Sequence, residues 1–242
     1  MTNTIQSLLI SVGGGVLAAT AFALFNRLVP PWCIRRRFYW KIWGAFLRDQ
    51  FVIVYGTWPP NSPGLGEGSL WPPIVALVTS WRYGSRKHRE TIPLLPARVC
   101  RSDDLRAKHV IQIGGPASNP LCKEVLEGSP FNYHLEDSGT YSISAGGRKY
   151  ETKWCRDGRS VHYGLCVLRC SPWNPSKLVL SISGLHSYGS EAVARKLFGK
   201  TSLQSTSRYI RPKEELKLGI LLESEFRNGI YLRSDVLFSA HQ

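Results

Sequence analysis

Acidic side chains are scarce in this chain: 17 stand against 31 lysines and arginines, leaving a formal charge of +14. A field of that sign concentrates anions, so nucleic acid, anionic lipid and phosphorylated ligands are the partner classes to weigh. CxxC pairs are absent too. Cys33, Cys100, Cys122, Cys155, Cys166 and Cys170 lack the spacing of a zinc ribbon, a thioredoxin-like site or a small secreted disulfide scaffold. Reduced thiols in a cytosolic domain are expected. The nearest approach to a metal cluster is Cys155, His162, Cys166 and Cys170. On a strand, however, Cys166 and Cys170 lie roughly 13 Å apart, too far to share a zinc ion whose sulfur bonds are about 2.3 Å long. Neither a metal nor a cofactor is expected. With 43% hydrophobic side chains over 242 residues, a disordered or fibrous chain is excluded and one good core can be buried.

Charge is missing altogether from residues 5–26, "IQSLLISVGGGVLAATAFALFN". As a helix this stretch rises roughly 33 Å, enough for a bilayer core. Arg27, Arg35, Arg36, Arg37, Lys41 and Arg48 follow before the first acid, Asp49, whereas "MTNT" ahead of the stretch is uncharged. The positive-inside bias predicts a single-pass protein of the cell inner membrane with its C-terminal part in the cytoplasm. On this reading residues 1–29 are a transmembrane anchor, 30–49 a basic and aromatic juxtamembrane segment, and 50–242 a cytoplasmic domain. A cleaved signal peptide would need a basic start that the chain lacks. A buried core helix fits the flanking charges poorly. Ser7, Ser11, Gly15, Ala19 and Ala23 recur every fourth residue, a small-residue ridge that lets helices approach in lipid, so self-association is expected through Ser11, Gly15, Ala19 and Ala23.

Beyond residue 50 the pattern changes. "FVIVY" reads as a buried strand ending at Gly56 and Thr57, followed by a glycine- and proline-rich connection. Ile74, Leu77, Val78 and Trp81 recur at helical spacing. "HVIQI" is a strand, "GGPASN" a turn and "PLCKEVLE" a helix, with Asn119 as N-cap and Pro120 in the first turn. A second unit, "KLVLSISGLHSYGSEAVARKLFG", runs from a strand through Gly184 and Gly189 into a helix beginning near Ser190. Two such units imply parallel strands with helical crossovers. Between them lie shorter strands with Gly146-Gly147 and Asp157-Gly158 as turns, and Asn228-Gly229 marks a late hairpin. The expected fold class is α/β: a transmembrane helix followed by a Rossmann-like domain with parallel core strands, an antiparallel insertion and a C-terminal hairpin.

Gly114, Gly115, Pro116 and Asn119, then Asn174-Pro175, then Gly184, Gly189 and Ser190 form an order that resembles Rossmann-like modules of uncharacterised prokaryotic proteins. The likeness covers roughly residues 51–239 and implies a fold more than an activity. The layout is similar to that of membrane-anchored, nucleotide-responsive effectors of bacterial antiviral systems.

In an open parallel sheet, ligands settle beyond the carboxyl ends of the strands, where helix N-termini present unpaired N–H groups. The candidate ligand-binding residues are therefore Gly56, Thr57, Gly114, Gly115, Pro116, Ser118, Asn119, Gly184, His186, Ser187, Gly189 and Ser190, for a nucleotide or similar anion. Glycines that merely let the chain turn and pack are the competing explanation. No Walker loop, GxGxxG or GxSxG is present, so ATP hydrolysis, NAD chemistry and an α/β-hydrolase elbow lack support. If the domain is an enzyme that cleaves nucleotides or nucleosides, Glu191 is the best acid, and domains similar to the Toll/interleukin receptor family place a glutamate near such an edge. A structural membrane protein with an inert domain is a further alternative. No nucleic-acid module is recognisable and the basic residues are scattered, which puts nucleic acid behind a small anion.

Overall fold

A computed structural model describes residues 46, 49–57, 92–198 and 216–240. The chain divides into two compact units, Met1–Lys41 and Ile42–Gln242, and every described residue belongs to the second. The expected anchor at residues 5–26, its small-residue ridge and the expected helix around Ile74 lie outside the described residues. Among the described residues, no helix is long and apolar enough to cross a membrane.

Runs of β-branched and aromatic residues dominate what is described. They form β1 (Phe51–Tyr55), β2 (Leu94–Pro96), β3 (His109–Ile113), β4 (Phe131–Leu135), β5 (Tyr141–Ala145), β6 (Arg148–Tyr150), β7 (Lys153–Trp154), β8 (Arg159–Cys170), β9 (Leu178–Gly184), β10 (Leu216–Arg227) and β11 (Ile230–Ser239). Three helices accompany them: α1 (Ser102–Ala107), α2 (Leu121–Leu126) and α3 (Ser187–Phe198).

The main sheet has the order β11-β10-β8-β9-β3-β1-β2, with β7 also paired to β8. One half is parallel: β1 runs parallel to β2 and β3, and β3 to β9. The other half is antiparallel, through β9 to β8, β8 to β10 and β10 to β11. A second, three-stranded antiparallel sheet has the order β4-β5-β6.

This corrects the α/β Rossmann-like expectation, because 48% of the described structure is strand, 18% is helix and the main sheet is mixed. Local patterns misled at two points. The chain does not return from β3 to β9 by one helix: α2 lasts six residues, and the second sheet, β7 and the long β8 follow before β9. β8 then turns back into β9 as an antiparallel neighbour, a pairing that no glycine turn announces. Tertiary pairing, not local propensity, decided the class.

Two neighbouring clusters cover one face of the main sheet. Val52, Val54, Val110 and Val179 pack with Leu105 of α1 and Val125 of α2. Tyr163, Leu165, Val167 and Leu221 pack with Cys122 and Leu126 of α2 and with Phe131, Ile143 and Ala145 of the second sheet. Successive strand residues point to opposite faces, so Gly164 faces the other way, where α3 lies close. A Cβ on Gly164 would meet the Gly189 carbonyl oxygen at 2.3 Å, and one on Gly189 would meet the Tyr163 carbonyl oxygen at 2.2 Å. The missing side chains let α3 lie directly on β8.

The short-range turn expectations match. Asn228 (φ 50°) and Gly229 (φ 78°) close the β10–β11 hairpin, and Gly146 and Gly147, at φ 56° and 75°, close β5–β6. Paired positive φ values are what a two-residue hairpin turn of matching twist demands.

Candidate functional site

Strands β1, β3 and β9 run in the same direction, so their carboxyl ends reach one edge of the sheet. The chain leaves β1 at Gly56, leaves β3 through Gly114 to Ser118, and leaves β9 through Gly184 and Leu185 into α3. These three exits wall a shallow cleft that opens to solvent.

Of the residues singled out from sequence, Gly56, Gly114, Gly115, Pro116, Ser118, Gly184, His186, Ser187 and Ser190 line this cleft. Thr57, Asn119 and Gly189 do not. Thr57 is buried just behind, its N–H donating to the Ser118 carbonyl oxygen at 3.0 Å and its hydroxyl lacking a partner. Gly189 is occupied by the packing of α3 on β8. Asn119 is fully buried and structural. Its Nδ2 donates to the carbonyl oxygens of Val54 (3.3 Å) and Ile113 (3.0 Å), and its Oδ1 accepts from Leu121 N–H at 3.2 Å. The expected N-cap role is therefore present, while the amide clamps β1 to β3 and has no donor left for a ligand.

Ile113, Ala117, Leu185 and Tyr141 also line the cleft. The first three adjoin or lie within the glycine turns and could have been included with them. Tyr141 comes from β5 in the second sheet, and nothing local in its sequence signals that position.

Helix α3 begins at Ser187, three residues before the expected start. The His186 carbonyl oxygen accepts from Gly189 N–H at 3.0 Å and Ser190 N–H at 3.3 Å, so the first turn closes on His186. Gly189 and Ser190 thus belong to the helix rather than to the turn before it.

Among the described residues, the backbone N–H groups of Gly115, Ala117, His186 and Ser187 make no hydrogen bond. Ser190 is only 5% exposed and lines the cleft, and its hydroxyl also meets no partner among the described residues. The Ser187 hydroxyl lies 3.0 Å from His186 Nδ1. Among the described residues, no lysine, arginine, aspartate or glutamate is in the lining. The described lining residues thus carry backbone and hydroxyl donors without a paired acceptor, beside the positive end of the α3 dipole.

His186 belongs to the cleft and to an aromatic cluster. Its ring stacks on Tyr188 at 5.3 Å and 28°, and lies 5.3 Å from His162 and 5.6 Å from Trp154. His162 is fully buried, with Nε2 2.9 Å from Ser160 Oγ and Nδ1 unpartnered. Burial, with a smaller contribution from His186, pushes His162 down to about 4. Burial also lowers His186. Both rings are neutral at pH 7, so the cluster adds no fixed charge to the cleft.

Glu191 is not in the lining. Its Oε1 pairs with Arg195 one turn along α3, at 2.8 Å from Nε and 2.7 Å from Nη2. Cys155, His162, Cys166 and Cys170 do not converge either, and the described residues contain no group of three or more potential ligands able to hold a metal ion.

In comparisons with known proteins, no family model, no curated protein and no solved structure matches this chain.

Proposed function

We propose that the described domain is a receptor for a small anionic, nucleotide-like ligand, which binds in the cleft beyond β1, β3 and β9. The supporting observation is convergence: residues from three segments far apart in sequence meet there, with N–H groups and the Ser190 hydroxyl left without partners among the described residues. A concave site with donors not used within the protein suits a ligand rich in acceptors. We further propose that the uncharged residues 5–26 attach the protein to the inner membrane, and that occupancy is relayed to that segment through different affinities of the ligand for two states of the chain.

Thermal unfolding of the full chain in detergent against a nucleotide panel tests the receptor. A ligand at about 100 times its Kd stabilises by about 2.7 kcal/mol, which raises the melting temperature by about 5–10 °C for a chain of this size. Ala117→Trp, at an exposed position in the lining, should abolish the shift while leaving the unliganded melting temperature nearly unchanged. No shift with any compound, or the same shift in the variant, would overturn the reading. Retention in the membrane pellet after carbonate extraction, lost when residues 5–26 are deleted, tests the attachment.

Nucleotide cleavage through Glu191 has no geometric support, because the carboxylate is paired on the helix surface and absent from the lining.

A further inference from the structure

Strand β8 pairs with β9 only as far as Gly164 and then continues beside β10 to Arg159, with β7 taking the place of β9. At about 3.3 Å per residue this ribbon stands roughly 16 Å beyond β9. Its last rung crosses four segments. Cys155 N–H donates to the Arg159 carbonyl oxygen at 2.7 Å, Arg159 is the register partner of Arg227, and Arg227 that of Ile230. The turns beyond the rung are tied together by Asn228 N–H, which donates to the Gly158 carbonyl oxygen at 2.9 Å. Two hairpins thus end in one convex tip.

The tip leaves large apolar side chains in water: Trp154 is 64% exposed and Ile230 68%. Trp154 is held in place, its ring centroid 4.9 Å from that of His162 and 5.6 Å from that of His186. Around them stand exposed cations. Residues 153–159 and 227–230 carry Lys153, Arg156, Arg159 and Arg227 against a single acid, Asp157, whose Oδ2 lies 2.6 Å from Arg159 Nε. Arg159 and Arg227 face each other directly across neighbouring strands, an arrangement that costs stability and that an external anion would relieve.

Shape and chemistry together choose the partner. A convex surface does not enclose a small ligand. Single-stranded nucleic acid uses cations and aromatic platforms but gains little from an exposed isoleucine. An anionic bilayer uses all three features: it deforms around a convex tip, takes an indole at headgroup level, buries aliphatic surface and attracts lysine and arginine.

We propose that this twin-hairpin tip docks on an anionic lipid bilayer, with Trp154 and Ile230 entering the headgroup region and Lys153, Arg156, Arg159 and Arg227 meeting lipid phosphates and carboxylates. The docking is separate from the cleft and from residues 5–26.

Surface plasmon resonance tests this with the full chain carried in neutral phosphatidylcholine nanodiscs. The immobilised probes are phosphatidylcholine vesicles, vesicles with about 30% phosphatidylserine added, and a single-stranded RNA. Binding should be tightest on the phosphatidylserine vesicles and weaken as salt rises. Trp154→Ser with Ile230→Ser, which leaves the charge unchanged, should weaken it about tenfold. Arg156→Glu with Arg227→Glu should weaken it by about tenfold or more. Because the whole chain is basic, Arg106→Glu with Lys123→Glu on α1 and α2 is the control: it makes the same charge change at exposed positions and should cost less than about threefold, the effect of distant charge being screened. Should Trp154→Ser disturb folding, Ile230→Asp alone replaces the apolar variant and should still weaken binding about fivefold. An equal loss in the control, no loss in the apolar variants, or tighter binding to RNA than to the anionic vesicles would overturn the docking. Each of these results would leave the cleft reading intact, because none of the substituted residues lines the cleft.

Discussion

Gly115 and Gly184, 69 positions apart in sequence, meet backbone to backbone: a Cβ added to Gly115 would lie 2.5 Å from the Gly184 carbonyl oxygen. This contact joins the exits of β3 and β9, so the glycines that form the cleft are needed first to build it. Gly115→Ala should destabilise by about 1–3 kcal/mol through overpacking against backbone that cannot swing away. Gly139→Ala is the comparison: the turn glycine has φ 77° with open space around it, so only local strain, about 1–2 kcal/mol, applies. Urea denaturation of the full chain should show ligand response impaired in the first variant and retained in the second.

Asn119 ties the same edge together from below. Removing its amide in Asn119→Ala takes a donor from the Val54 and Ile113 carbonyl oxygens, the latter still accepting from Gly56 N–H, and strands the Leu121 N–H. Each buried unsatisfied group costs about 1–3 kcal/mol, partly relieved by relaxation, so a loss of about 1–3 kcal/mol is expected. Hydrogen exchange should show faster opening at the β1–β3 ends than in β10 and β11.

Acid should loosen the antiparallel half of the sheet. His162 falls to about 4 in the folded state, against about 6.5 in an unfolded chain. Between these values the unfolded state binds more protons, so stability is fully present above about pH 6.5 and is lost as pH falls toward 4. His162→Phe, which keeps a ring among Trp154, Tyr188 and Phe226, should flatten the melting-temperature profile across that window. An unchanged slope would show that other groups set it.

Glu191→Gln removes a solvent-facing pair on α3. Exposed pairs of this kind are worth about 0.3–0.5 kcal/mol, so stability should barely move. Nucleotide binding should be unchanged in calorimetry.

The sequence could be read where the cause is local. Asn228-Gly229 and Gly146-Gly147 adopt positive φ whatever surrounds them, and the strands "FVIVY" and "HVIQI" need only an apolar run to be recognised. The same local logic found most of the cleft, because small residues after a strand mark a tight exit wherever it occurs. It missed Tyr141, which reaches the cleft only because β5 joins a second sheet folded over the first. It misjudged Asn119, whose donors are consumed by carbonyls of two strands, one of them 65 residues away.

By itself, then, the sequence determined the charge balance, the hairpin turns, the parallel strands flanking "GGPASN" and the glycine exits. Only tertiary structure decided that the long β8 pairs antiparallel with both β9 and β10, making a mostly β mixed sheet, and that the exits share one cleft. The physical reason is that turns and strands follow from neighbouring residues. Strand partners and cleft walls depend instead on which distant surfaces bury each other, and one linear pattern is compatible with several such pairings.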